Sequence, residues 1–171
     1  MRLFIAINFS NIIKHRLLAI CDELYSASSF GRFSLAENLH LTLAFLGECD
    51  NKQMMDAKSA MDAIDFKSFD IMIDSIGRFK RGGGDIWWAG VAENKLLLEL
   101  QRNLCSNLRE HGFELEKRRY SPHITLGREI ITSAKPQKIE PFGETIIKFE
   151  LMKSERVGGK LMYTAIHVSE K

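Results

Sequence analysis

Two four-residue runs constrain this chain more than anything else in it: His40-Leu41-Thr42-Leu43 and His123-Ile124-Thr125-Leu126. Each reads His-x-Thr-Leu, and they lie 83 positions apart, one in each half of the sequence. Both sit in apolar, alternating stretches that predict strands, and on a strand residues i and i+2 face the same way. His40 and Thr42 therefore share a face, as do His123 and Thr125. Folding the halves together brings two imidazoles and two hydroxyls to one point, a set suited to acid–base chemistry on a small anion such as a phosphate diester. With five His in the chain, two of them gaining Thr at +2 and Leu at +3 by chance is roughly a one-in-several-thousand event. The bland alternative is an internal duplication kept for packing. A His on an apolar strand is a poor core filler, however, because each ring nitrogen then needs a partner.

At 171 residues the chain fits one domain or two intimately packed lobes. The apolar content of 45% supports a real core, and the net charge of +2 gives no long-range basic field of the kind that drives bulk nucleic-acid binding. Local basic clusters stand at Arg78-Phe79-Lys80-Arg81 and Lys117-Arg118-Arg119. Three scattered cysteines (Cys21, Cys49, Cys105) make no paired framework and no C-x-x-C, which points to reduced thiols. The apolar run at Met1–Asn8 is too short for a signal peptide, and no stretch approaches 18 apolar residues. The expectation is a soluble, cytoplasmic protein with no membrane association.

The periodicity predicts a central strand over 2–9, a helix over 11–28, the first motif strand over 38–46 and a helix over 51–64. Residues 69–79 and 86–91 read as a hairpin around the glycine-rich Lys80–Asp85 turn. The Gly82–Gly84 run lacks the pattern of a phosphate-binding loop. A helix over 94–111 carries a leucine stripe and ends at Gly112. The second motif strand covers 121–130, and late strands cover 145–151 and 161–168, the last entered through the Val157–Lys160 turn. Strands and helices mix without βαβ alternation. That predicts an α+β fold, bilobal and duplicated: two antiparallel sheets facing a central cleft, with the helices outside. Residues 1–171 form one domain on this reading, each lobe giving one motif to the cleft.

Four segments narrow the assignment: Met1–Ile7, Glu37–Glu48 around the first motif, Trp87-Trp88-Ala89-Gly90-Val91, and Tyr120–Arg128 around the second. Together they resemble the RNA 2′,3′-cyclic phosphodiesterases, once called 2′-5′ RNA ligases, of the 2H phosphoesterase superfamily. The resemblance runs nearly the whole length, and Ser154 and Tyr163 fall where that family carries a Ser and a Tyr. Gly127 stands where Ala is more usual, and Tyr-Ser-Pro precedes the second motif in place of Phe-x-Pro. Neither departure touches a motif position.

The resemblance implies metal-independent hydrolysis of RNA 2′,3′-cyclic phosphate ends, tRNA fragments among them, to 2′-phosphomonoesters by a monomeric enzyme without cofactor. It makes His40 the proton donor and His123 the acceptor; the residues alone leave that symmetry unbroken. Imidazoles of pKa near 6.5 suit both roles. Thr42 and Thr125 hydroxyls would donate to the phosphoryl oxygens. Arg128, at +5 from His123, has the opposite parity on a regular strand and needs a bulge, bend or strand end to reach the site. Phe45, Tyr163, Trp87 and Trp88 are candidate stacking platforms. Two histidines without Asp, Glu or Cys at ligand spacing make a poor zinc site. His15 and His111 read as exposed helix residues and His167 as structural. Competing readings are a phosphodiesterase of a small cyclic nucleotide or of 2′-5′ oligonucleotides, reversible 2′-5′ joining of RNA ends, and a non-catalytic module that binds RNA termini.

Overall fold

The computed structural model describes residues 1–171. Nine strands and three helices follow in the order β1 (Arg2–Asn8), α1 (Asn11–Ser26), β2 (Ser28–Phe33), β3 (His40–Glu48), α2 (Asn51–Asp62), β4 (Phe69–Phe79), β5 (Asp85–Val91), α3 (Lys95–Glu110), β6 (His123–Thr132), β7 (Gln137–Ile146), β8 (Lys148–Val157) and β9 (Lys160–Glu170). A single 3₁₀ turn, Ala36–Asn38, leads into β3.

The helices form where apolar spacing and caps agree. In α1, Ile13, Leu17, Cys21 and Leu24 are buried on one stripe, and the Ser10 side chain accepts from the Ile13 N–H. Asp50 and Gln53 close a reciprocal capping box at the start of α2, which satisfies two otherwise orphaned N–H groups. Asn94 caps α3, whose Leu97, Leu100, Leu104 and Leu108 are buried. Gly112, at φ 86°, ends it in the left-handed conformation that glycine adopts freely.

All strand pairs are antiparallel, in the spatial order β7-β4-β5-β6-β3-β1-β8-β9, with β2 also against β6. This is the expected α+β architecture with antiparallel sheets. The order divides at its middle, where β3 and β6 share one registered pair, Leu41 with Ile124. On one side lies β3-β1-β8-β9, and on the other β6-β5-β4-β7. The two sheets thus join at one bridge into a single unclosed sheet. Helix α1 packs on β2, β6 and β7, whereas α2 and α3 pack on each other and on β9 and β3. The lobes are therefore not the two halves of the chain: β1 and β3 combine with β8 and β9 from the far end. No helix is long and apolar enough to cross a membrane.

Three local expectations differ from the structure. Strand β2, in Ser-Ser-Phe-Gly-Arg-Phe, carries no apolar alternation; it exists because it takes the edge of β6 that β3 leaves open. Strand β7 contains Pro141 and several charges, which an outermost strand tolerates because its far edge needs no N–H donors. The strand expected over 145–151 is two strands, with the chain crossing at Ile147 from its pairing with β4 to its pairing with β1.

Candidate active site

The bridge between Leu41 and Ile124 fixes the site. Both residues are fully buried, so the flanking residues on each strand face the opposite side of the sheet. An antiparallel register about this pair runs His40 toward Thr125 and Thr42 toward His123. The two motifs are thus related by a local two-fold axis through the bridge, and four chemically active side chains share one face.

The same relation holds in the hydrogen bonds. His40 Nδ1 lies 2.7 Å from the Asn38 carbonyl oxygen, and His123 Nδ1 lies 2.7 Å from that of Ser121. A carbonyl only accepts, so each Nδ1 carries the proton and each Nε2 holds the lone pair when the ring is neutral. His40 Nε2 is 2.9 Å from Thr42 Oγ1. In neutral His40 the Thr42 hydroxyl donates to Nε2. Once His40 is protonated, Nε2–H donates to the hydroxyl oxygen, and the hydroxyl proton is freed to point elsewhere. Backbone carbonyls of both motif strands are tied from outside: Tyr120 Oη donates to Thr42 O at 2.7 Å, and Ser34 Oγ to Thr125 O at 2.9 Å.

Each motif strand carries an irregularity just beyond its threonine. In β3, Ala6 pairs with Thr42 while Ile5 pairs with Ala44, so Leu43 is an extra residue. Parity flips there, and Phe45, opposite Phe4, returns to the face of Thr42. In β6, Trp88 pairs with Thr125 and Trp87 with Gly127. The extra residue, Leu126, puts Arg128 on the face of Thr125. This meets the condition that the sequence set for Arg128. Its charge acts on His40, His123 and Tyr163 alike.

Aromatic rings flank both imidazoles. Phe4 and Tyr163 lie 4.9 and 5.2 Å from His40, centroid to centroid. Phe79 stands edge-on to His123 at 5.1 Å, with Trp88 at 6.4 Å. The Trp88 ring lies across Gly77 and Gly90, where a Cβ would come within 2.2 and 2.9 Å of it. Those glycines are needed for the indole to lie flat on the sheet. Trp87, one of the four aromatics proposed for stacking, is 1% exposed and belongs to the core, because alternation turns its ring under the sheet. Phe45 is exposed and Tyr163 half-buried. Phe4 and Phe79 escaped sequence reasoning, since an apolar residue in a strand gives no sign of which face it takes.

Burial is the main influence on both histidines and disfavours their charged form. His40 is lowered from 6.5 to about 4, the Asn38 carbonyl opposing and Lys14, His123 and Arg128 adding to the fall. His123 is lowered as well, again by burial first, with the Ser121 carbonyl opposing and Arg128 and Arg118 adding. Both rings are therefore neutral at pH 7 in the unliganded protein.

The other histidines lie elsewhere. His15 is on α1, His111 caps α3, and His167 Nε2 meets Asp62 Oδ1 at 2.7 Å. All three cysteines are free and buried. No three or more His, Cys, Asp or Glu side chains gather in an arrangement that could hold a metal ion.

Comparison with known proteins gives a consistent picture. The family model of LigT-like phosphoesterases matches residues 9–88. A protein of Archaeoglobus fulgidus named RNA 2′,3′-cyclic phosphodiesterase is 30% identical over 162 residues, covering 90% of this chain and 91% of its own length. Its namesake from Thermotoga maritima is 34% identical over 131 residues, 75% of this chain and 70% of its own. The crystal structure of Escherichia coli LigT complexed with 3′-AMP superposes with a TM-score of 0.87 at 26% identity, over 99% of this chain and 97% of that one.

Proposed function

The chain belongs to the LigT-like phosphoesterases of the 2H superfamily, and from that premise we propose that it opens 2′,3′-cyclic phosphate ends of RNA to 2′-phosphomonoesters. Residues 1–171 act as one catalytic domain, without a metal ion. The observation that carries this reading is the pair of imidazoles, each with Nδ1 held by the carbonyl two residues before it and Nε2 left for proton transfer. Relatives named RNA 2′,3′-cyclic phosphodiesterase supply the substrate class.

A cyclic phosphate is a strained diester with one negative charge. His123 Nε2 takes a proton from water, and the water oxygen bonds to phosphorus. The P–O3′ bond breaks, and His40 Nε2–H protonates the departing O3′. The site supports this assignment of roles. Only His40 has its Nε2 already bonded to a motif hydroxyl, so its protonation turns the Thr42 proton outward, where it can donate to a phosphoryl oxygen. Thr125 and Arg128 bind the same oxygens as charge builds on them. Phe45 and Tyr163 flank the nucleoside. The deciding test is a product assay. An RNA oligomer ending in 2′,3′-cyclic phosphate is incubated in EDTA and the new end identified. A 2′-phosphate is expected. A 3′-phosphate would reverse the leaving group, and absence of reaction in folded protein would overturn the reading.

A further inference from the structure

The basic clusters left over from the catalytic reading reach the site on the side of His123, Arg81 through Phe79 and Arg118 through its charge. Residues 78–85 and 116–121 hold six basic and two acidic side chains, against 18 basic and 20 acidic in the rest of the chain. A protein of small net charge therefore concentrates its positive potential beside one imidazole. Phe79 stands edge-on to His123 at 5.1 Å, and the Arg81 guanidinium lies 5.9 Å from the Phe79 ring centroid. His123, Phe79 and Arg81 thus form a continuous line out of the site, along the β4–β5 hairpin. Arg78 is engaged with Asp85, while exposed Lys80 and Arg81 have no carboxylate partner within ion-pair distance. Arg81 Nη1 reaches only the Lys80 carbonyl. Asp85 Oδ1 accepts from the Arg81 backbone N–H at 2.9 Å, which braces the turn that carries both cations.

Resting on the function proposed above, we infer that this hairpin is a binding site for the RNA strand upstream of the cyclic end. The nucleotide next to the reacting one stacks on Phe79, and its neighbouring phosphates meet Arg81 and Lys80. The preferred substrate is then an oligonucleotide and not a nucleoside 2′,3′-cyclic phosphate. Aromatic stacking combined with unpaired cations is the general means of holding a single strand without reading its sequence.

The test compares kcat/KM for a nucleoside 2′,3′-cyclic phosphate with that for oligoribonucleotides of two to six residues bearing the same end, at two salt concentrations. Wild-type protein should favour the oligomers, through KM, by about tenfold or more at low salt. In the Lys80→Ser/Arg81→Ser variant that advantage should vanish, and the logarithmic salt slope should fall by roughly 0.7 for each phosphate that a removed cation had neutralised. The mononucleotide does not reach the hairpin, so its turnover should be unchanged. The charge-preserving variant Lys80→Arg/Arg81→Lys should keep the advantage. Equal use of mononucleotide and oligomer by the wild type, or an oligomer preference that survives the Ser variant, overturns the inference alone. Failure to turn over either substrate overturns the underlying function and the inference with it.

Discussion

Anion binding should return a proton to His40. In the unliganded protein burial lowers this group from 6.5 to about 4, so at pH 6.5 the proton costs roughly 3 kcal/mol to restore. A phosphoryl oxygen at about 4 Å from the imidazolium repays roughly 4 kcal/mol at an effective dielectric constant near 20. The two magnitudes nearly balance, and the bound anion should raise His40 by about two to three units. Inorganic sulfate is the cleanest probe, because it does not titrate between pH 4 and 8. Ring ¹³C and ¹⁵N shifts followed by NMR, with His40→Gln to assign the signal, should give a midpoint near 4 without sulfate and above 6 at saturation. By linkage, sulfate affinity should rise about tenfold per pH unit as pH falls between those midpoints. A free-protein midpoint at or above 6.5, or one that saturating sulfate leaves in place, would refute the reasoning.

Substituting His123 by Ala should cut turnover by roughly 10² to 10⁴-fold while circular dichroism and Tm stay near wild type; near-normal activity would remove it from the mechanism. Arg128→Gln should raise the midpoints of both His40 and His123, because its charge lowers each, and should lower kcat/KM; unchanged NMR titrations would separate Arg128 from the site. Gly84, at φ +121°, has room for no Cβ, which would lie 2.5 Å from the Glu129 carbonyl carbon. Gly84→Ala should therefore lower stability by about 1–3 kcal/mol and disturb the adjacent Arg128, read as a fall in Tm together with a rise in the His midpoints. Stability should also fall with acid in a defined window. The folded-state pKa of His40 lies below its unfolded value, so the unfolded chain takes up the proton first, and stability is lost as pH drops from 6.5 to about 4, by up to roughly 3 kcal/mol. Urea titrations should show this slope, and His40→Gln should flatten it.

Much of this molecule was legible because local signals agreed with one another. The leucine stripe of α3 came with an Asn cap and a terminal Gly, and the alternation Phe69, Ile71, Ile73 ran into a glycine-rich turn. Both motif strands announced themselves through apolar flanks. Strands β2 and β7 were illegible for the converse reason: their pairing is decided by vacant edges on β6 and β4, a tertiary fact with no local pattern. The composition of the lobes was hidden for the same reason, since the match of β1 with β8 lies far along the chain. Alternation placed the histidines and threonines correctly relative to each other. It could not tell Trp87 in the core from Trp88 on the site face, because adjacent identical residues carry no sign of which way the sheet turns them.

The irregularities at Leu43 and Leu126 explain both the power and the limit of parity arguments. Period-two reasoning is sound from His to Thr and fails three residues later in both strands, where the inserted residue exchanges the faces. Two like insertions preserve the local two-fold in the backbone, so the residue at +5 reaches the site from either strand. The side chains delivered there differ: Phe45 from β3, Arg128 from β6. Diester hydrolysis needs one acid and one base, which a strictly symmetric site cannot distinguish. The hydroxyl bond from Thr42 to His40 Nε2, the deeper fall in His40, and a guanidinium on one strand opposite an aromatic ring on the other make the two imidazoles inequivalent. The paired backbone thus brings the reacting groups together, and the unequal residues at +5 help assign them different tasks.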